Sequence, residues 1–246
     1  MTTTPDNSSS PTVLLVHGAF ADSAGWNGVL AHLHDRGVAA WAVSNPLRGI
    51  AHDAAYVSSI MQQTEGPVLA VGHSYGGAVI TNAALQAGNV VGLVYVAAFA
   101  PDEGESLGQI EEGSKDSVLN TALREWTYPT ESGGKDVEFY IDPAQFYDAF
   151  ANDLPVGETR LMAATQRPVA ALAFSEPTRN PAWRQLPSWA VVPTGDRAAG
   201  SDVVRSMAER ASATITEVDG SHVIMISQPR AVADVIATAV QTLTAS

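Results

Sequence analysis

Six residues constrain this chain more than any others: Gly72-His73-Ser74-Tyr75-Gly76-Gly77. An apolar run, Pro67-Val68-Leu69-Ala70-Val71, leads into them, and a stretch that reads as a helix, Ala78 to Ala87, leads out. Strand, Gly-x-Ser-x-Gly, helix describes a sharp turn that holds one serine in a strained backbone conformation, its hydroxyl pushed out above a sheet edge. Gly72 and Gly76 flank the serine because a side chain at either place would collide with the neighbouring strand or helix. The helix that begins just after Ser74 aims free N–H groups and the positive end of its dipole at the spot where an oxyanion would form.

A serine presented in this way needs a base, and the base needs a group to orient it. Six histidines are available. His222 sits in Val218-Asp219-Gly220-Ser221-His222, beyond the alternating segment Ala213 to Val218, which reads as a late strand. Asp196 ends the run Val191-Val192-Pro193-Thr194-Gly195-Asp196, also just past an apolar strand. The order Ser74, Asp196, His222 is that of one architecture of serine catalyst and differs from the two others in common use.

At this point the sequence resembles the α/β-hydrolase superfamily, over nearly the whole chain from Val13 to Leu243. The resemblance rests on His17-Gly18-Ala19-Phe20 after the first strand, the turn at Gly72 to Gly77, Gly195-Asp196-Arg197, and Gly220-Ser221-His222, in that order. It implies Ser74 as nucleophile, His222 as base and Asp196 as acid. It also implies an oxyanion hole made by the backbone N–H groups of Ala19 and Tyr75. Two other acids compete with Asp196. Asp102 follows the strand Val90 to Ala98, where some members of the superfamily place the acid, and Asp202 suits the first turn of the next helix. Asp219 is read as shaping the histidine loop. Relatives often brace the loop after the aspartate with an apolar-proline pair; here it reads Arg197-Ala198-Ala199-Gly200, which predicts a looser loop.

The remaining histidines carry less. His17 is expected to brace the oxyanion loop, His73 to pack away from the nucleophile, and His32, His34 and His52 to be solvated. No H-E-x-x-H, C-x-x-C or other metal-ligand spacing occurs, so no metal or cofactor is expected.

The chain alternates short β-type runs with helical stretches, which predicts a mostly parallel α/β sheet with helices on both faces. Strands are expected at Thr12 to Val16, Val38 to Val43, Val90 to Ala98, Trp189 to Thr194 and Ala213 to Val218. Helices are expected at Ser23 to Arg36, Asp53 to Thr64, Asp202 to Ala211 and Arg230 to Leu243. The segment from Pro101 to Arg184 breaks this rhythm with seven prolines, Gly133-Gly134 and nine aromatics. It resembles the helical cap that the superfamily inserts after the sixth strand. The expected organisation is therefore a tail over residues 1–11, a core over 12–100 and 185–246, and a cap over 101–184. A cap would shape a pocket, and its expected lining is Phe20, Trp126, Tyr128, Phe146, Phe150 and Val223.

At 246 residues with 46% hydrophobic and 16% charged content, the chain has enough apolar material for a sizeable core. A formal net charge of -13 argues against nucleic acid and anionic membrane as partners. Cysteine is absent. The polar start Met1 to Pro11 lacks the apolar stretch of a signal peptide, which makes a cytoplasmic location the expectation. The resemblance thus implies a serine hydrolase acting on a small carboxylic ester or lactone. Relatives that cleave cyanohydrins carry a threonine at the position of Gly18 and a lysine just after the histidine, where this chain has Val223. Both are missing, which disfavours that activity. Cofactor-free perhydrolase activity and a non-catalytic ligand-binding role are the alternatives.

Overall fold

The computed structural model describes residues 10–245. The expected tail lies outside that range except for Ser10 and Pro11, and Pro11 is already buried. The core opens with β1 (Thr12–Val16), a 3-10 turn (Ser23–Trp26), α1 (Asn27–His34), β2 (Ala40–Val43), α2 (Ile50–Gln63), β3 (Val68–His73), α3 (Tyr75–Ala87) and β4 (Val90–Val96). It resumes with β8 (Ser188–Pro193), α9 (Ser201–Arg210), β9 (Thr214–Val218), α10 (Ile224–Ser227) and α11 (Pro229–Thr244). Six strands form one parallel sheet in the order β2-β1-β3-β4-β8-β9.

Burial follows from that order. β3 and β8 are covered on both faces and every residue in them is buried, hence their continuous apolar runs. The edge strands β2 and β9 keep exposed positions. The expected helix from Ser23 starts as a 3-10 turn because Asp22 Oδ1 accepts from the Ala24 N–H at 2.8 Å. β4 stops at Val96, short of the expected Ala98, because Ala97 takes a φ of 47°.

The insertion leaves after β4, which is the fourth strand counted along this chain. It contains α4 (Leu107–Glu112), α5 (Leu119–Ala122), β5 (Leu123–Pro129), β6 (Lys135–Ile141), α6 (Phe146–Phe150), α7 (Val156–Thr165), β7 (Val169–Ala170), α8 (Leu172–Ser175) and a 3-10 turn at Ala182–Arg184. The cap is thus not built of helices alone. β5, β6 and β7 form a three-stranded antiparallel sheet. The reason is visible in Lys135-Asp-Val-Glu-Phe-Tyr-Ile141, which alternates after the Gly133-Gly134 turn. The Ala170 N–H donates to Leu47 O at 2.9 Å, and the Ala51 N–H donates to Glu176 at 3.1 Å, fastening cap to core. Among the described residues no helix is long and apolar enough to cross a membrane.

Candidate active site

Ser74 occupies the junction of β3 and α3 with φ 53° and ψ -125°, a conformation that L-residues avoid unless their surroundings impose it. The surroundings here are backbone. A Cβ on Gly72 would lie 2.5 Å from Gly76 O, and one on Gly76 would lie 2.4 Å from Val16 O. Only glycine lets α3 pack this closely onto β1 and β3. The Gly77 and Phe99 N–H groups both donate to Ser74 O, at 2.9 and 3.2 Å, and lock the turn. The serine itself is 6% exposed.

The oxyanion loop approaches from β1. A Cβ on Gly18 would fall 2.6 Å from Ser74 Cβ, so the loop lies directly against Ser74. Among the described residues neither the Ala19 nor the Tyr75 N–H finds a protein acceptor, which leaves both donors available. The Tyr75 hydroxyl donates to Asp53 Oδ2 at 2.8 Å, and Asp53 also accepts from the Arg48 N–H at 3.1 Å. Asp53 is fully buried. Burial, followed by the charge of Asp53, raises the Tyr75 hydroxyl pKa well above its usual range, so it stays a donor. His17 braces the loop: its Nδ1 pairs with Gly18 O at 2.9 Å, while Nε2 accepts from the Asn45 N–H at 3.0 Å. Burial lowers its pKa to about 4, so it is neutral.

Asp196 and His222 leave the C-terminal ends of β8 and β9. His222 Nδ1 donates to Asp196 Oδ2 at 2.8 Å, with both side chains essentially out of solvent. That bond fixes the tautomer and leaves Nε2 as the basic nitrogen. Asp196 Oδ1 accepts from the Ala198 and Ala199 N–H groups at 2.9 and 3.0 Å. The cap holds the same loop: the Ser117 hydroxyl donates to Ala198 O at 2.6 Å, and the Val118 N–H donates to Arg197 O at 2.9 Å. The loop expected to be loose is therefore tied by four hydrogen bonds at Arg197, Ala198 and Ala199, because hydrogen bonds replace the missing proline. The rival acids are occupied elsewhere: Asp102 pairs with Arg184 at 2.5 Å, and Asp202 accepts from the Ser114 hydroxyl at 2.6 Å. Asp219 accepts from the Thr194 hydroxyl at 3.0 Å.

His73 joins the two halves. Its ring lies 4.8 Å from that of His222, and its Nε2–H donates to His222 O at 2.9 Å. Burial, then the neighbouring His222 ring, lower its pKa well below the usual imidazole value. His73 thus supports the histidine loop beyond simple packing. The tie places His222 beside the residue preceding Ser74. No hydrogen bond links the Ser74 hydroxyl to His222 among the described residues; such bonds are often long before substrate binds.

A cavity of about 370 Å³ opens next to this centre, lined among others by Phe20, Phe150, Met162, Val223, Met225 and Ile226. The Phe150 ring sits 5.0 Å from His222 and 6.2 Å from Phe20, bridging the imidazole and the cavity. Its charged lining residues are Asp22 and Glu158. The other three aromatics expected here lie elsewhere. Phe146 is buried inside the cap and backs Phe150 at 5.0 Å. Trp126 is 60% exposed on β5 and pairs with Tyr140. Tyr128 lies under Arg48 and lines a shallow pocket with Ala170 and Leu172. Both belong to the hairpin, whose register turns them away from this cavity.

The sequence reading passed over Asp53, Ser117 and Asp153. Asp53 had a signal: with Ile50, Ala54, Val57 and Met61 it falls on the buried stripe of α2, where a carboxylate must have partners. The other two act across the cap, and no local pattern reveals them.

The comparison with curated proteins gives no match. Solved structures give many. Polyneuridine aldehyde esterase is 19% identical, with 94% of this chain and 99% of that one covered and a TM-score of 0.78. A pyrethroid hydrolase from Sphingobium faniae JZ-2 is 21% identical over 94% of this chain and 97% of its own, with a TM-score of 0.75. An extracellular alpha/beta-hydrolase from a Paenibacillus species, described as sharing structural and functional homology with tobacco salicylic acid binding protein 2, is 19% identical over 93% and 98%, with a TM-score of 0.74. At such identities the likeness is one of fold. The sequence model of the alpha/beta hydrolase family matches residues 13–235. That stretch runs from the first strand through the serine turn, the cap and the Asp196–His222 pair, and the chain belongs to the alpha/beta hydrolase family.

Proposed function

We propose that this protein is a serine hydrolase that cleaves a carboxylic ester or lactone through an acyl-enzyme on Ser74. The observation that carries the reading is a strained serine together with a buried Asp196–His222 bond of 2.8 Å, with His73, the residue before the serine, bonded to His222 O. His222 Nε2 takes the proton of Ser74 as its oxygen attacks the carbonyl, and later returns that proton to the leaving alcohol. Asp196 holds the tautomer and stabilises the imidazolium. The Ala19 and Tyr75 N–H groups receive the oxyanion, an effect worth roughly 10²–10³ in rate per donor. Water, activated by the same imidazole, then releases the acid. No metal or cofactor enters these steps.

The cavity narrows the substrate. Its apolar wall suits an uncharged acyl or aromatic group, and its two carboxylates disfavour an anionic one. The lining shows no arginine cluster that would hold a phosphate. Cyanohydrin cleavage is disfavoured because Gly18 and Val223 stand where relatives with that activity carry a threonine and a lysine. Ser74→Ala is expected to abolish hydrolysis of p-nitrophenyl acetate and labelling by a fluorophosphonate while the protein stays folded. Wild-type turnover by that mutant would refute the proposal. Labelling of the native protein without turnover past one equivalent would instead indicate a ligand-binding protein.

A further inference from the structure

The cap reaches the base directly, through a residue that reads as an ordinary solvated carboxylate. Asp153 follows α6 and is exposed overall. Nevertheless its Oδ2 accepts from the Ser221 N–H at 2.8 Å, and its Oδ1 accepts from the Ser221 hydroxyl at 2.5 Å. Ser221 is 2% exposed and immediately precedes His222. The Ser221 oxygen in turn accepts from the Val223 N–H at 3.3 Å, on the other side of His222. The carboxylate therefore grips Ser221 through two hydrogen bonds, and the Ser221 hydroxyl it holds spans the backbone of His222. Gly220 completes the fit, since a Cβ there would lie 2.8 Å from Asp153 Oδ2. Three residues earlier, Phe150 packs its ring against the imidazole.

We infer that Asp153 is a positioning residue that sets the orientation of His222 from the cap. This rests on the assignment of His222 as the base. The physical argument is one of satisfaction. Without Asp153 the buried Ser221 N–H has no acceptor, and leaving such a donor unpaired costs enough for the backbone to shift toward water. His222 moves with it. Asp196 fixes only one ring nitrogen, so a small displacement of the backbone tilts Nε2 away from the serine. Misplacement by about 1 Å suffices for a rate loss on the order of 10²-fold. His73 steadies the same loop from the core side, through the carbonyl of His222. The imidazole is thus gripped between a core contact and a cap contact.

The test compares Asp153→Ala, Asp153→Asn and Ser221→Ala in the full chain, with p-nitrophenyl acetate as substrate. Asp153→Ala is expected to lower kcat roughly 10–100-fold with KM and thermal midpoint little changed. Asp153→Asn, which keeps an acceptor for the Ser221 N–H, is expected to recover most of the activity. Ser221→Ala is expected to fall between them and to add little in the double mutant. A second readout does not depend on turnover. The downfield proton resonance of the His222–Asp196 hydrogen bond should broaden or vanish in Asp153→Ala and persist in Asp153→Asn. Wild-type kcat in Asp153→Ala, a loss confined to KM, or an unchanged resonance would overturn the inference. Failure of the esterase reading would show separately, as activity surviving in Ser74→Ala.

Discussion

The two halves of this site are held by different physics. The half around Ser74, the proposed nucleophile, is held by sterics. Gly72, Gly76 and Gly18 each sit where a single carbon atom would strike the backbone or the serine, and Ser74 is left with one conformation. Everything that fixes it lies within β1, β3, α3, β4 and the loops after β1 and β4. The half around His222, the proposed base, is held by hydrogen bonds gathered from afar: Asp196 from its own loop, Ser117 and Asp153 from the cap, His73 from the elbow. A half built on excluded volume tolerates no change of size. A half built on hydrogen bonds tolerates size but not loss of a partner. The contrast teaches where each kind of substitution will act.

The largest expected effect tests the base half through its chemistry. Asp196→Asn keeps the volume but can present its amide to the imidazole and favour the unproductive tautomer. It is expected to lower kcat about 10⁴-fold with a normal fold by circular dichroism. A loss under tenfold would mean that His222 does not need this orienter.

Next comes the steric half. Gly76→Ala places its methyl 2.4 Å from Val16 O, so α3 must move off β1. A destabilisation of about 3 kcal/mol in urea unfolding is expected, with activity lost along with the turn. A variant of wild-type stability would show that the elbow yields, and would blur the distinction between the halves.

The smallest effect concerns pH. Glu111 is buried behind the acid loop, where Oε1 lies 3.2 Å from the Ser117 hydroxyl oxygen, whose proton goes to Ala198 O, and Oε2 has no partner among the described residues. Burial, with a further push from Asp196, raises its pKa to about 7. The folded state therefore binds this proton more tightly than the unfolded chain. Its contribution to stability is complete below about pH 4.5 and is lost as pH rises through about 7. Glu111→Gln should match the wild type near pH 4 and exceed it at pH 8 by on the order of 2 kcal/mol. The elbow half behaves oppositely. His17, lowered to about 4, contributes fully above pH 6.5, and that contribution fades as pH falls through about 4. A Glu111→Gln difference that stayed constant from pH 4 to 8 would remove the carboxyl from this balance.

Legibility in the sequence follows the same division. The elbow could be read because its cause is local: glycine spacing within six residues encodes the collision it avoids. The parallel sheet could be read because β3, β4 and β8 must be apolar throughout when both faces are covered. Asp196 and His222 stood at strand ends in a telling order. What escaped notice has causes at long range. The hairpin β5–β6 is masked by the insertion's resemblance to a helical cap, although its alternation and its Gly133-Gly134 turn are present in the sequence. Trp126 and Tyr128 looked like pocket residues by type alone, and only the strand register shows where they go. Asp153 and Ser221 are 68 residues apart, and neither carries a motif for the other.

The dependence of the acid loop on Ser117 and of the histidine loop on Asp153 bears on engineering. Exchange of the insertion for that of a relative is an attractive way to alter substrate range, since the core strands run on either side of it. In this molecule such a chimera would also remove the hydroxyl and the carboxylate that hold the Asp196 and His222 loops. A transplanted cap would need to bring equivalents of both, or the recipient would fold with Ser74, Asp196 and His222 all present and the proposed turnover slowed.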